Sequence, residues 1–90
     1  MTPTASQHPN REKLELLVNR AKKRLPQQGA GFVNCYIVTD DPPVLAYDFK
    51  GPMEADQYLI SMEATSSGFR KDDSNPSRVL QTVQMDRITF

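Results

Sequence analysis

The feature that most constrains the fold is a periodic apolar pattern between Asn10 and Leu25. Apolar residues recur there at intervals of three and four, which places them on one face of an α-helix. The apolar positions of this pattern are Leu14, Leu17, Val18, Ala21 and Leu25. Pro26 disfavours helical geometry at the residue before it, and Asn10 is the expected N-cap. We therefore predict an amphipathic helix over residues 10–25, which needs an apolar layer to cover it.

The same helix separates the charges of the chain. Residues 10–25 contain six basic and two acidic side chains, a net charge of +4, whereas the remaining residues contain five basic and nine acidic ones, a net charge of −4. The formal net charge of zero therefore describes a molecule with a positive helix and a negative remainder. The basic residues of the helix are Arg11, Lys13, Arg20, Lys22, Lys23 and Arg24.

The rest of the chain has the alternation and β-branched content of strands. Residues 31–39 are apolar at both alternating sets of positions, which predicts an interior strand covered on both faces, or covered by the helix on one face and by a partner on the other. Residues 44–50 form a second strand, and the link Asp40–Pro43 predicts an antiparallel hairpin. Residues 57–65 alternate as a half-buried third strand.

The end of the chain is harder to assign. Residues 66–77 are polar and predict a mobile loop. Residues 77–85 favour a fourth strand over a short helix, because β-branched residues are frequent there. The predicted fold is thus α+β, an N-terminal amphipathic helix packed on a small, mostly antiparallel sheet of about four strands, in the order α-β-β-β-β.

The organisation expected for the 90 residues is one domain. Residues 1–9 are small and polar and contain two prolines, so we predict a disordered lead followed by a single α+β domain at 10–90. No apolar run is long enough for a membrane span, and no secretory signal is recognisable. A single cysteine favours a reducing, cytoplasmic compartment.

Residues that could carry catalysis are scarce. Cys35 lies among apolar neighbours and is expected to be a buried thiol, and the single histidine, His8, lies in the predicted lead. Neither a nucleophile with a base nor a set of metal ligands follows from this sequence. The acidic pairs Asp40–Asp41 and Asp72–Asp73 are expected in solvated turns. We predict a protein that is not an enzyme and uses neither metal nor cofactor.

The charge separation points to binding. We predict a small protein-protein interaction or regulatory module that uses the basic helix face, a sheet edge, or both, with another protein or a second copy of itself as partner. The expected contact face consists of Lys13, Leu16, Arg20, Lys23 and Arg24. An exposed leucine among these cations favours a protein contact.

The alternative is a nucleic-acid-binding protein that uses the same basic helix. Tyr47, Phe49 and Phe69 would then stack on bases from the strands. The net charge of zero and a pI near 6.5 argue against this alternative, because dedicated nucleic-acid binders are usually basic.

Overall fold

The computed structural model describes residues 9–29, 31–64 and 67–87. Two helices and four strands follow one another in the order α-β-β-α-β-β. They are α1 (Pro9–Arg24), β1 (Phe32–Asp40), β2 (Pro43–Phe49), α2 (Pro52–Glu63), β3 (Phe69–Asp72) and β4 (Asn75–Thr82). Short 3-10 turns follow α1 and β4, at Pro26–Gln28 and Met85–Arg87. The predicted α+β class, with an N-terminal helix on an antiparallel sheet of four strands, is confirmed.

Helix α1 covers the region that the apolar periodicity predicted, with a different start. It begins at Pro9, so Asn10 lies inside the helix and is not its N-cap. The Asn10 side-chain amide instead donates a hydrogen bond to the carbonyl oxygen of Asp40, at 3.2 Å, which ties the start of α1 to the end of β1. Apart from Pro9, the predicted N-terminal lead at 1–9 lies outside the described residues.

The predicted hairpin is present, and its first strand lies at an edge of the sheet. β1 and β2 pair antiparallel, with Cys35 opposite Tyr47 and Ile37 opposite Leu45. The sheet order is β1-β2-β4-β3, so β1 lies at an edge and the interior strand predicted at 31–39 was wrong. The alternative for this strand agrees with the structure in that α1 covers one face of β1, and its partner on the other face stays a prediction. The interior strand is β2, in which the four consecutive residues from Val44 to Tyr47 are buried.

The prediction of a third strand at residues 57–65 was also wrong, because residues 57–63 belong to helix α2. Pro52 occupies the start of α2, where its missing N–H costs no hydrogen bond, and Glu54 suits the positive end of the helix dipole. Ala55 and Tyr58 are buried one turn apart, whereas Ile60 is 68% exposed. A strand that buried Tyr58 would have buried Ile60 as well.

Strand β3 lies inside the segment 66–77 that was predicted as a loop. It pairs with β4, with Phe69 opposite Gln81, and Phe69 is its one buried residue. The segment is polar because β3 is a short edge strand whose other side chains are at least partly exposed. The preference for a strand over a helix at 77–85 is confirmed for residues 77–82 by β4, which pairs with β2 on one side and β3 on the other, whereas Met85 lies in a 3-10 turn.

Both helices pack on the same face of the sheet. α1 lies over β1 and β2, α2 lies mainly over β4 and β3, and the side chains between them form one core. That core contains Leu14, Val18, Ala21, Leu25, Cys35, Leu45, Tyr47, Phe49, Ala55, Tyr58, Phe69, Val79 and Val83. Full burial of one leucine of this set stabilises the fold by about 2 kcal/mol. The opposite face of the sheet carries neither helix, which leaves the solvent side of α1 and the open sheet face as candidate binding surfaces.

Candidate functional site

The predicted contact residues all lie on the exposed part of α1. Leu14, Val18, Ala21 and Leu25 turn toward the sheet, and at about 100° per residue Leu16 and Lys23 lie on the opposite side of the helix. Leu16 is 46% exposed, and Lys13, Arg20, Lys23 and Arg24 are exposed as well. We call these five residues the basic face of α1.

One flank of the basic face borders a cleft between the two helices. Arg20 and Arg24 line this cleft, which has a volume of about 140 Å³, and Tyr47 and Tyr58 form part of its floor. The basic face therefore extends from the solvent side of α1 to the junction with α2.

Three cations outside the basic face, Arg11, Lys71 and Arg78, form ion pairs within the molecule. Arg11 contacts Glu15 at 3.5 Å and Asp40 at 3.0 Å. Lys71 pairs with Asp56, and Arg78 pairs with two aspartates. Within the described part of the chain, no carboxylate lies within ion-pair distance of Lys23 or Arg24. Both side chains are exposed.

The floor of the cleft between the helices is an aromatic cluster that the sequence did not reveal. The ring centres of Tyr47 and Tyr58 are 5.3 Å apart, and the Tyr47 hydroxyl donates a hydrogen bond to Gln81 Oε1 at 2.5 Å. Burial raises the pKa of Tyr58 to about 12 and also raises the pKa of Tyr47. Both tyrosines are therefore protonated at neutral pH, which makes them hydrogen-bonding groups of the core.

On the open face of the sheet, one arginine and two aspartates form an ion-pair network. Arg78 on β4 lies 2.7 Å from Asp48 on β2 and 3.4 Å from Asp72 on β3, and its guanidinium stands 5.6 Å from the ring centre of Tyr36. Hydrogen bonds from Ser74, followed by those from Arg78, lower the pKa of Asp72. This network joins all four strands, and each of its three charged side chains has a partner of opposite sign.

The structure describes two of the features considered for catalysis, the thiol of Cys35 and the acidic side chains. Cys35 is fully buried, as predicted, and burial raises the pKa of its thiol to about 12, so the thiolate needed for nucleophilic attack is absent at neutral pH. Among residues 9–29, 31–64 and 67–87, no group of three or more His, Cys, Asp or Glu side chains is arranged to hold a metal ion. His8 lies outside the described residues.

The aromatic residues proposed to stack on bases are core residues. Tyr47, Phe49 and Phe69 are all at least nine-tenths buried, so their prediction as surface aromatics was wrong. Tyr47 and Phe49 point to the core because alternate residues of β2 face the helices, and Phe69 is the anchor of β3. The basic face thus has no stacking platform from these three residues.

Comparison of the chain with models of protein families, with curated proteins and with solved structures finds no match. None of the helices in the described part of the chain is both long enough and apolar enough to cross a lipid bilayer. A function for this chain is therefore inferred from its own residues.

Proposed function

We propose that this chain is a non-enzymatic protein-binding module that recognises an acidic protein surface through the basic face of α1. The single observation that carries the proposal is the contrast in charge pairing. Arg11 and Arg78 are held by carboxylates of the same molecule, whereas Lys23 and Arg24 have none among the described residues. An exposed leucine lies on the same face, and apolar groups flanked by cations suit protein interfaces.

A protein partner is better supported than a nucleic acid. The burial of Tyr47, Phe49 and Phe69 removes the stacking contacts that the nucleic-acid alternative needed. The proposal includes a regulatory role and a cytoplasmic location, the latter because a lone cysteine favours a reducing compartment.

The experiment is affinity capture from nuclease-treated extract of the source organism. The bait is the full chain, compared with a variant that carries Lys23→Glu and Arg24→Glu. The matched control carries Lys50→Glu and Arg70→Glu, which changes the net charge equally at exposed positions outside α1. We expect the same partner with the unmodified chain and the control, and at least about tenfold less of it with the α1 variant.

Equal capture by all three baits would refute the basic face as the contact surface. A partner that the unmodified chain captures from untreated extract, but not from nuclease-treated extract, would instead favour the nucleic-acid alternative. Circular dichroism of each bait shows whether the fold is retained.

A further inference from the structure

Strand β1 exposes one side of its backbone. It is nine residues long and pairs with β2, and no strand of the described residues lies on its other side. In an antiparallel pair, every second residue of a strand directs its N–H and C=O away from the paired strand. Register shifts at Val33 and Val38 interrupt the strand, and between them residues 34–37 stay regular. This regular stretch offers the backbone groups that an added strand requires.

A cleft of about 380 Å³ runs between this edge and α1. Its apolar lining residues are Val18, Cys35 and Ile37, of which Val18 and Cys35 are buried and Ile37 is partly exposed. A strand added to β1 would direct every second side chain toward Ile37 and the flank of α1. Backbone groups and an apolar contact at Ile37 therefore lie side by side.

The helix side of the cleft is a row of polar residues. Arg11, Glu15, Asn19 and Lys22 line it, and their spacing of four, four and three residues places them along one flank of α1. Arg11 lies beside Asp40 at one end of β1, and Lys22 lines the same cleft as Cys35, which lies nearer the other end of the strand. The row therefore follows the strand edge.

Charge determines which occupant fits this cleft. Arg11 is paired with Glu15 and Asp40, whereas Lys22 has no ion pair with another described residue, so Lys22 is the cation of this cleft that can pair with an acidic group of an occupant. A second copy joined through its own β1 would place two α1 helices side by side, about 10 Å apart, where their positive charges repel. An acidic segment of another protein avoids this repulsion and neutralises Lys22.

We infer that the free edge of β1 and the adjoining flank of α1 form a groove that binds an extended, acidic segment of a partner protein by strand addition. This inference rests on the proposed function, because it specifies which part of the partner is bound and how. The groove residues differ from the basic face: Lys22 lies about 100° around the helix from Lys23. The two surfaces can therefore be tested separately.

The test is an NMR titration of the ¹⁵N-labelled full chain with a synthetic peptide of alternating glutamate and valine, matched to the length of β1. We expect chemical-shift changes at residues 34–37 and at Lys22, together with slower amide exchange in that stretch of β1. Lys22→Glu should weaken binding about tenfold, whereas Lys50→Glu, an equal charge change outside the groove, should leave it unaltered. A peptide N-methylated at every second amide should not bind, because it cannot complete the backbone hydrogen bonds.

Several results would overturn the inference. They are the absence of shifts at about 1 mM peptide, equal binding of the N-methylated peptide, and shifts confined to Lys23 and Arg24. Shifts confined to Lys23 and Arg24 would refute binding in the groove and would still agree with the proposed function. Light scattering that shows dimers without peptide, with β1 amides protected, would assign the edge to a second copy. Conversely, peptide binding at β1 combined with unchanged capture by the Lys23 and Arg24 variant would refute the basic face alone.

Discussion

The close approach of Gly68 to Thr82 gives a prediction whose size follows from the structure. Gly68 immediately precedes β3, has a φ of +94°, and accepts a hydrogen bond from the Thr82 amide at 2.8 Å. A Cβ atom added there would lie 2.6 Å from the Thr82 carbonyl oxygen, which is part of the β4 backbone and cannot rotate away. Gly29 is the natural comparison, because its φ is +64° and an added Cβ would meet no atom within 4 Å.

The two alanine substitutions separate backbone strain from collision. A left-handed conformation costs an alanine about 1–2 kcal/mol, partly offset by the lower entropy of its unfolded chain, so Gly29→Ala should cost about 1 kcal/mol. Gly68→Ala adds a forced displacement of packed atoms, typically 1–3 kcal/mol, and should cost about 3 kcal/mol in total. Urea denaturation followed by circular dichroism measures both free energies of unfolding. If Gly68→Ala were no more destabilising than Gly29→Ala, the described pairing of β3 with β4 would be wrong.

Three further predictions concern single side chains. Hydrogen bonds from Ser74 lower the pKa of Asp72, so the ionised carboxylate stabilises the fold above its ordinary pKa of 3.8 and this contribution is lost as the pH falls through the folded pKa. Asp72→Asn should therefore flatten the fall in unfolding free energy between about pH 5 and pH 2, and an unchanged slope would contradict the Ser74 contacts. Cys35 should react with iodoacetamide rapidly in urea and very slowly in native buffer, as followed by mass spectrometry; rapid native labelling would disprove its burial. Tyr47→Phe removes the donor to Gln81 and should lower the free energy of unfolding by about 1 kcal/mol, and a neutral result would argue against that hydrogen bond.

The elements predicted correctly are those whose signals are local. α1 has five apolar positions at helical spacing and a proline that ends the pattern. The β1–β2 hairpin has two apolar segments separated by a proline-rich turn. Each of these signals lies within the element it specifies, so no knowledge of neighbouring elements was needed.

The prediction of a strand where the structure has α2 was wrong because the same apolar residues fit both the helical and the strand periodicity. Tyr58 and Met62 are four residues apart, which suits one face of a helix, but Tyr58, Ile60 and Met62 also alternate as in a strand. Pro52 as a helix start was the local signal that could have decided between them. The exposure of Ile60 in the structure shows which period prevails.

Strand β3 and the ionic network on the open sheet face depend on contacts between distant segments. β3 has one buried apolar side chain, Phe69, and forms because β4 pairs with it. Arg78 meets Asp48 only because β2 and β4 are neighbours, a pairing of residues 30 positions apart. The exposure of the five residues of the basic face could be anticipated because it follows from the periodicity of a single helix. Their partner could not be identified in this way.

The most direct test of the basic face is photo-crosslinking from its centre. A benzoylphenylalanine residue replaces Leu16, which is 46% exposed, and the same residue at Gln57, an exposed position on α2, provides the comparison. After irradiation in extract of the source organism, we predict a nuclease-resistant protein adduct that forms from position 16, does not form from position 57, and disappears when Lys23 and Arg24 are changed to glutamate. Adducts to nucleic acid, or the same protein adduct from both positions, would contradict recognition of a protein through the basic face of α1.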